Sequence, residues 1–204
     1  VKEVILLGQN VNSYNFEGIS FSSLIYSIAE INEIKRIRFM TSHPRDMTDE
    51  LIKAFGIIPK LMPFLHLPVQ SGSNRILKSM NRGHIVEEYL EIINKLRYER
   101  KDICFSSDFI VGYPGETDKD FQETIDLCEK VQFSQAYSFN YSSRPGTPAS
   151  RKEDLDENLK KTRLHVLQDL LNKQQTSFLT GQKNRKHQVL FEKIGRGIDE
   201  YIGR

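Results

Sequence analysis

Short β-branched runs alternate with amphipathic stretches along this chain. Val4-Ile5-Leu6-Leu7 stops at Gly8 and predicts a first strand, after which Leu24, Ile25 and Ile28 share one helical face. Ile37–Thr41 predicts a second strand, closed by Ser42-His43-Pro44. Leu51, Ile52 and Phe55 predict a short helix with Thr48 as its N-cap. Phe64–Leu67 predicts a third strand, followed by a helix capped by Ser73 with Ile76, Leu77 and Met80 inward. Ile85, Tyr89, Ile92, Ile93 and Leu96 form the clearest helical stripe. Cys104–Val111 predicts the fourth strand, stopped by Gly112-Tyr113-Pro114-Gly115. Thr117 then caps a helix whose stripe is Phe121, Thr124, Ile125, Cys128 and Val131, with Asp118 and Asp120 favourably placed in its first turn. Ala136–Tyr141 predicts the fifth strand.

This βα order implies parallel strands joined by right-handed crossovers. Five strands within residues 1–150 are too few for an eight-stranded barrel, which takes about 250 residues. The choice is an open doubly wound sheet or a partial barrel. A sheet covered on both faces reads as continuous Val, Ile and Leu. Here the strands carry His66, Ser106, Ser107, Asp108, Ser138 and Asn140, which favours a barrel with a polar interior.

Beyond Pro148 the pattern changes. Residues 155–180 predict one long helix carrying Leu164, Leu167, Leu171 and Phe178, ended by Gly181. A basic run, Lys183-Asn184-Arg185-Lys186-His187, leads into a strand at Gln188–Glu192, and Gly195, Gly197 and Gly203 follow. The expected units are 1–150, 151–181 and 182–204. The first residue is Val1 and the last, Arg204, follows a glycine-bearing β segment, so the chain is expected to be a fragment at both ends.

Composition narrows the class. Of 204 residues, 38% are hydrophobic and 27% charged, a globular balance, and no apolar run approaches the ~18–20 residues of a membrane span. The net charge of +2 says little, but its distribution says more. Residues 1–150 carry 17 Lys/Arg against 19 Asp/Glu, and residues 151–204 carry 12 against 8. The tail is therefore the polyanion-facing part, unless its charges only solvate a helix face. Cys104 and Cys128, 24 residues apart, form neither a metal-binding motif nor a disulfide framework, and the expected compartment is the cytoplasm.

In βα barrels the chemistry sits at the C-terminal ends of the strands. Those ends read Gly8–Asn12, Thr41–Pro44, Pro68–Ser73, Gly112–Glu116 and Ser143–Pro148. They are rich in amides, hydroxyls and glycines and lack a carboxylate pair or a Ser/His/Asp set for hydrolysis. Such loops suit a ribose-bearing or zwitterionic ligand, with a cofactor carrying the hard chemistry. Each also has a plainer reading. The Gly/Pro runs are turns, His66 is a satisfied core histidine, Cys104 and Cys128 are core, and Glu116 caps a turn.

Five strings in order resemble the radical S-adenosylmethionine methylthiotransferase family. They are Leu6–Tyr14, Thr41–Pro44, His66–Ser73, Ser106–Thr117 and Ser143–Ala149. The likeness runs from end to end of the chain, and by it the five predicted strands would be the second to sixth of the barrel. It implies a partial (βα)6 TIM-like barrel of the α/β class lacking its first strand, then a helical extension, then the start of a TRAM-type RNA-binding β-barrel. It further implies S-adenosylmethionine and two 4Fe-4S clusters, one held by a CxxxCxxC loop that this chain does not contain. No metal ligand and no catalytic residue is therefore assigned.

By the same resemblance, Gly8, Gln9 and Asn10 would hold the methionyl part of the cofactor, with Ser42 and His43 facing the same space. Gln70 and Ser71 would hold ribose or carboxylate. From the Asp108–Glu116 string, Asp108 would face the cofactor, and Ile110 and Gly112 would let adenine pack on side chain and backbone. Arg144 would meet the cofactor carboxylate or a substrate phosphate. Lys183, Arg185 and Lys186 would contact RNA phosphates from a fixed position relative to the barrel mouth. The implied activity is methylthiolation at C2 of N6-dimethylallyladenosine next to the tRNA anticodon. The expected partners are the anticodon stem-loop and an electron donor, with no membrane, in a monomeric protein. The alternatives are a ribosomal-protein methylthiotransferase and a noncatalytic RNA-binding remnant.

Overall fold

A computed structural model describes residues 1–197 and 199–203. Its strands are β1 (Glu3–Leu6), β2 (Asn15–Phe16), β3 (Ile19–Ser20), β4 (Arg36–Phe39), β5 (Phe64–His66), β6 (Cys104–Val111), β7 (Gln135–Asn140), β8 (Phe191–Ile194) and β9 (Tyr201–Gly203). Its helices are α1 (Phe21–Ala29), α2 (Asp49–Ile57), α3 (Asn74–Ser79), α4 (Val86–Glu99), α5 (Asp118–Val131) and α6 (Glu157–Gly181).

The five long strands run parallel and neighbour one another in chain order. β1 pairs with β4, and β5, β6 and β7 form a second ladder. Among the described residues the backbone link between the two ladders runs through Ile37, whose amide donates to the Lys60 carbonyl (2.8 Å) and whose carbonyl accepts from Met62 (3.0 Å). Sequential order without a reversal is the signature of a singly wound barrel wall, left open here between β1 and β7.

Register explains the mixed polarity of the strands. On the outer face Val4, Leu6, Ile37, Phe39, Leu65, Phe105, Phe109 and Val111 pack under the helices. On the inner face stand Glu3, Arg36, Arg38, His66, Ser106, Asp108 and Tyr137. Ser107 is the polar exception outside, and its hydroxyl is used fully: it accepts from the Val69 amide and donates to the Leu67 carbonyl.

The helices follow their caps. Thr48 accepts from the Leu51 amide, and Thr117 forms a capping box with Asp120. Ser73 is the N-cap residue of α3 but its side chain makes no capping bond: its hydroxyl donates to Asp120 Oδ1 (2.6 Å), tying α3 to α5. Ile85 leaves the predicted stripe because it is the N-cap residue of α4 and lies exposed. The hairpin of β2 and β3, turning on Glu17 and Gly18 with positive φ, is a short surface feature outside the βα pattern.

Gly181 is the last helical residue of α6 rather than a left-handed stop, since Gln182 caps the helix in right-handed geometry. The expected strand at Gln188–Glu192 lies later, at Phe191–Ile194, and pairs antiparallel with β9. The expected unit 182–204 includes Ile198 and Arg204, which lie outside the described residues.

The course of α6 fixes where the tail sits. Near its start, Lys160 and Arg163 meet Gly112 and Glu116 beyond the C-terminal end of β6. Further along, Gln174 accepts from the Phe133 amide and donates to the Cys128 carbonyl, below the start of β7. The helix thus descends the barrel from its C-terminal to its N-terminal rim. Arg36, at the start of β4, donates to the Gln188 carbonyl at that lower rim. Lys183, Arg185 and Lys186 are exposed in the segment between α6 and Gln188.

Candidate active site

A cavity of 740 Å³ opens at the C-terminal rim of the barrel. Gln70, Asp108 and Ile110 form its strand wall. Met80 and Arg82 come from the turn after α3, Tyr113 from the loop after β6, and Phe139, Tyr141 and Arg144 from β7 and beyond.

Gln70 sits at φ +78°, a left-handed conformation that non-glycine residues adopt rarely. Two backbone hydrogen bonds to β6 hold it there: its amide donates to Asp108, and its carbonyl accepts from Ile110 (both 2.9 Å). Ser71 therefore faces away from the cavity. It is fully buried, 3.4 Å from the Thr124 hydroxyl of α5, and accepts from the Ser73 amide. Gly72 follows because any Cβ there would collide with the backbone of Glu123 and Thr124.

Asp108 faces the cavity with its carboxylate 3.5 Å from His66 Nε2, and His66 Nδ1 is 2.9 Å from the Ser106 hydroxyl. His66 is thus an interior wall residue that orients Asp108. Gly112, at φ +70°, does not offer its face to a ligand: the stem of Lys160 lies over it, where a Cβ would clash. Lys160 is held by Asp154 and Glu157, which raise its pKa. Glu116 accepts from the Gly112 amide and from Arg163, and burial pushes its carboxyl pKa upward.

Across the rim, Gly8 and Gln9 are exposed, and the Gly8 carbonyl accepts from the Thr41 hydroxyl. Asn10 donates to Asp46 (2.6 Å), while its Oδ1 is buried without a partner. Burial opposes ionisation of Asp46, but the Asn10 and Arg45 hydrogen bonds outweigh it and hold its pKa low. Ser42 is buried and donates to the His66 carbonyl. His43 stacks edge-on against His84, with ring centroids 5.5 Å apart. Burial, then the charge of Arg82, lowers its pKa to about 4.

The structure therefore brings Gln70, Asp108, Ile110 and Arg144 to one cavity and sets Gly8, Gln9, Asn10, Ser42 and His43 on the facing part of the rim. It turns Ser71 and Gly112 to other tasks. Two residues were missed by the sequence reading. Asn12 exchanges hydrogen bonds with the His43 backbone (2.8 and 2.9 Å) and so fixes the loop after β4. Arg82 lines the cavity from a turn that carries no strand-end signal.

A family model for the radical SAM superfamily matches residues 1–128. The chain belongs to the radical SAM superfamily. Among curated relatives, the tRNA-2-methylthio-N(6)-dimethylallyladenosine synthases of Rickettsia akari (strain Hartford) and Rickettsia typhi are each 53% identical over 100% of this chain. The enzyme of that name from Rickettsia prowazekii is 52% identical. The chain spans 47% of the length of each of these relatives. Two solved radical SAM structures share the fold. The coproporphyrinogen III oxidase HemN from Escherichia coli aligns with a TM-score of 0.63 at 17% identity, over 85% of this chain and 41% of its own. OxsB aligns with a TM-score of 0.52 at 15% identity, over 84% and 23%.

The radical SAM barrel of this chain fits the cofactor that names its superfamily. Buried polar atoms without partners gather along the rim: Asn10 Oδ1, Asn140 Oδ1, the Tyr141 hydroxyl and Arg82 Nε. Both donors and acceptors are represented, as a ligand with amine, carboxylate, ribose and adenine groups requires. A cluster does not fit the described residues. Cys104 opens β6 at the lower rim, Cys128 is buried in α5, and no group of three or more ligating side chains occurs among them. No helix among them is long and apolar enough to cross a membrane.

Proposed function

We propose that this chain forms the cofactor- and substrate-binding part of a tRNA methylthiotransferase. The product would be the 2-methylthio derivative of N6-dimethylallyladenosine beside the anticodon. The observation that carries this reading is the rim cavity, in a chain 53% identical over its whole length to relatives bearing that activity in their names.

Gln70, Asp108 and Ile110 would hold S-adenosylmethionine, with Asn10 and His43 on the opposite rim. When bound and reduced, the cofactor supplies the radical that activates an otherwise inert C–H bond. The protein's own task is to bind, to orient and to exclude water. The Gln70 backbone bridge and the His66–Asp108 contact fix two polar groups before any ligand arrives, which limits the ordering that binding requires. Tyr113 and Tyr141, edge-to-face at 5.2 Å, offer aromatic surface for a base that has left its stack, as loop nucleotides do.

Cluster ligands, the auxiliary cluster and the electron donor would come from outside the described residues. The cytoplasm is the proposed compartment and the monomer the proposed state. The segment 182–204 would open an RNA-binding β-barrel, with Lys183, Arg185 and Lys186 meeting phosphates. The test is mass spectrometry of a prenylated anticodon stem-loop incubated anaerobically with the intact, reconstituted protein. Gain of one methylthio group is expected. Modification of a ribosomal-protein peptide instead, or of neither substrate, overturns the reading.

A further inference from the structure

β7 is the last strand of its ladder: it pairs with β6, and among the described residues no strand lies on its other edge. Two large rings stand on its inner face. Tyr137 lies opposite Asp108 and Phe139 opposite Ile110, one strand out from the cavity wall, and they are 49% and 54% exposed. Their sequence neighbours turn the other way: Ala136 packs on the core and Ser138 is half-buried. Two residues beyond Phe139, Tyr141 lines the rim cavity, so aromatic rings at every second position lead from the free edge to the mouth.

Contiguous exposed rings mark interaction surfaces, and the surroundings of these two say what suits them. Phe139 lines the rim cavity, and both rings line a groove of 310 Å³ that crosses the free edge to Gln168, Leu171 and Asn172 of α6. Among the described residues no charged side chain lines that groove. It offers aromatic faces, hydroxyls and two neutral amides, a set that accepts a planar ring with polar edges. A phosphate would find no counter-charge in it, and an aliphatic segment would leave the amides unpaired. The Tyr137 hydroxyl accepts from Gln135 Nε2 (2.5 Å), which holds the ring by its rim rather than its face. Residues i and i+2 of a strand stand about 6.6 Å apart, twice the roughly 3.4 Å between stacked bases. The two rings can therefore take one base between them or one each. Arg144, exposed at the rim end, is placed to meet the backbone joining those bases.

We propose that Tyr137 and Phe139 stack the bases that flank the nucleotide held in the rim cavity. The occupant of the β7 edge is single-stranded RNA, continuous with the cavity's own ligand. Stacking tolerates any base, because every base has a π-face, so this surface adds affinity without reading sequence. The inference rests on the tRNA reading of the rim cavity.

The experiment compares wild type, Tyr137→Leu and Tyr137→Phe as intact proteins. It measures affinity for a prenylated anticodon stem-loop RNA at several salt concentrations, affinity for S-adenosylmethionine, and ligand-free thermal unfolding. Leucine keeps apolar bulk but has no flat face; phenylalanine keeps the face and loses the hydroxyl. The Leu variant is expected to lose about fivefold or more in RNA affinity. The loss should be the same at every salt concentration, because stacking releases no counterions. The Phe variant should bind RNA close to wild type, and both variants should match wild type in S-adenosylmethionine affinity and in melting. RNA binding by the Leu variant equal to wild type overturns the proposal and leaves the rings to a polypeptide cover, which tolerates leucine. Equal losses in the Leu and Phe variants overturn it as well, because the hydroxyl rather than the face is then in use. A melting temperature several degrees below wild type in the Leu variant, or a parallel loss of S-adenosylmethionine affinity, makes Tyr137 a structural residue and overturns it too. If wild type does not bind the stem-loop, the tRNA reading itself fails, and this inference with it.

Discussion

Arg163 of α6 and Glu116, in the loop after β6, form an ion pair withdrawn from water. Nη1 lies 2.8 Å from Oε2, with 4% and 1% of the two side chains exposed. The pair joins the top of the helix to the top of the barrel wall. Arg163 also donates to the Glu116 carbonyl and to Asp118. Removing one partner strands the other, which costs about 3–5 kcal/mol at buried pairs. Arg163→Met should lower unfolding free energy by that order in urea titration. Adding Glu116→Gln should return part of the loss, because the stranded charge is then gone. Equal stability of wild type and the single variant would show that the pair does not close the fold.

Gln70 and Ser71 are adjacent but should respond oppositely to alanine. Ser71→Ala removes the acceptor for the Ser73 amide and the contact with Thr124, so it should destabilise by about 1 kcal/mol and leave cofactor affinity unchanged. Gln70→Ala should weaken S-adenosylmethionine binding at roughly 1 kcal/mol per neutral hydrogen bond lost. Isothermal titration together with a denaturant melt separates the two effects.

His43 links stability to acidity. Its pKa is about 4 in the fold against 6.5 unperturbed. Between those values the unfolded chain binds more protons, so stability rises with pH from about 4 and is complete above about 6.5. Acidification through that window therefore destabilises the protein. His43→Asn keeps an acceptor for the Arg45 amide and should flatten that part of the profile. A wild-type profile no steeper than the variant's between these pH values counts against the neutral, buried imidazole.

The basic tail should carry salt dependence. If Lys183, Arg185 and Lys186 meet phosphates, the logarithm of affinity for the stem-loop falls with the logarithm of salt by about 0.7–0.9 per contact. Replacing all three with Ala in the intact protein should flatten that slope by up to about two to three units. Because the cluster lies at the lower rim, S-adenosylmethionine binding should not change. An unchanged slope would leave the cluster as a solvated surface.

Local signals were legible and distant pairings were not. Cys104–Val111 reads correctly to the residue because a β-branched and aromatic run meets Gly112-Tyr113-Pro114-Gly115. Thr48 and Thr117 mark their helices because a cap bonds within three residues. Asn12 escapes because its partner His43 is 31 residues away, and the burial of Glu116 escapes because Arg163 is 47 away. The resemblance assigns Gln70 and Ser71 to one site, but the positive φ at Gln70 and the contacts of Ser71 with Thr124 and Ser73 separate them, and neither is a local signal. The length of α6 is plain from its leucines, roughly 37 Å for 25 residues. Its direction depends on Gln174 and Phe133 finding each other, which no periodicity records.

The joint at Ile37 divides the barrel wall mechanically. Gln70, Asp108 and Ile110 stand on a plate stiffened by three continuous parallel strands, while Asn10 and His43 ride on the smaller plate of β1 and β4. Across the joint, bending stiffness comes from one residue's two backbone hydrogen bonds, the Ser42 hydroxyl and helix packing rather than from a ladder. The two plates are therefore bound to each other chiefly by side chains: one continuous apolar core runs beneath the joint from Phe21 and Phe39 through Leu61 to Phe105 and Leu127.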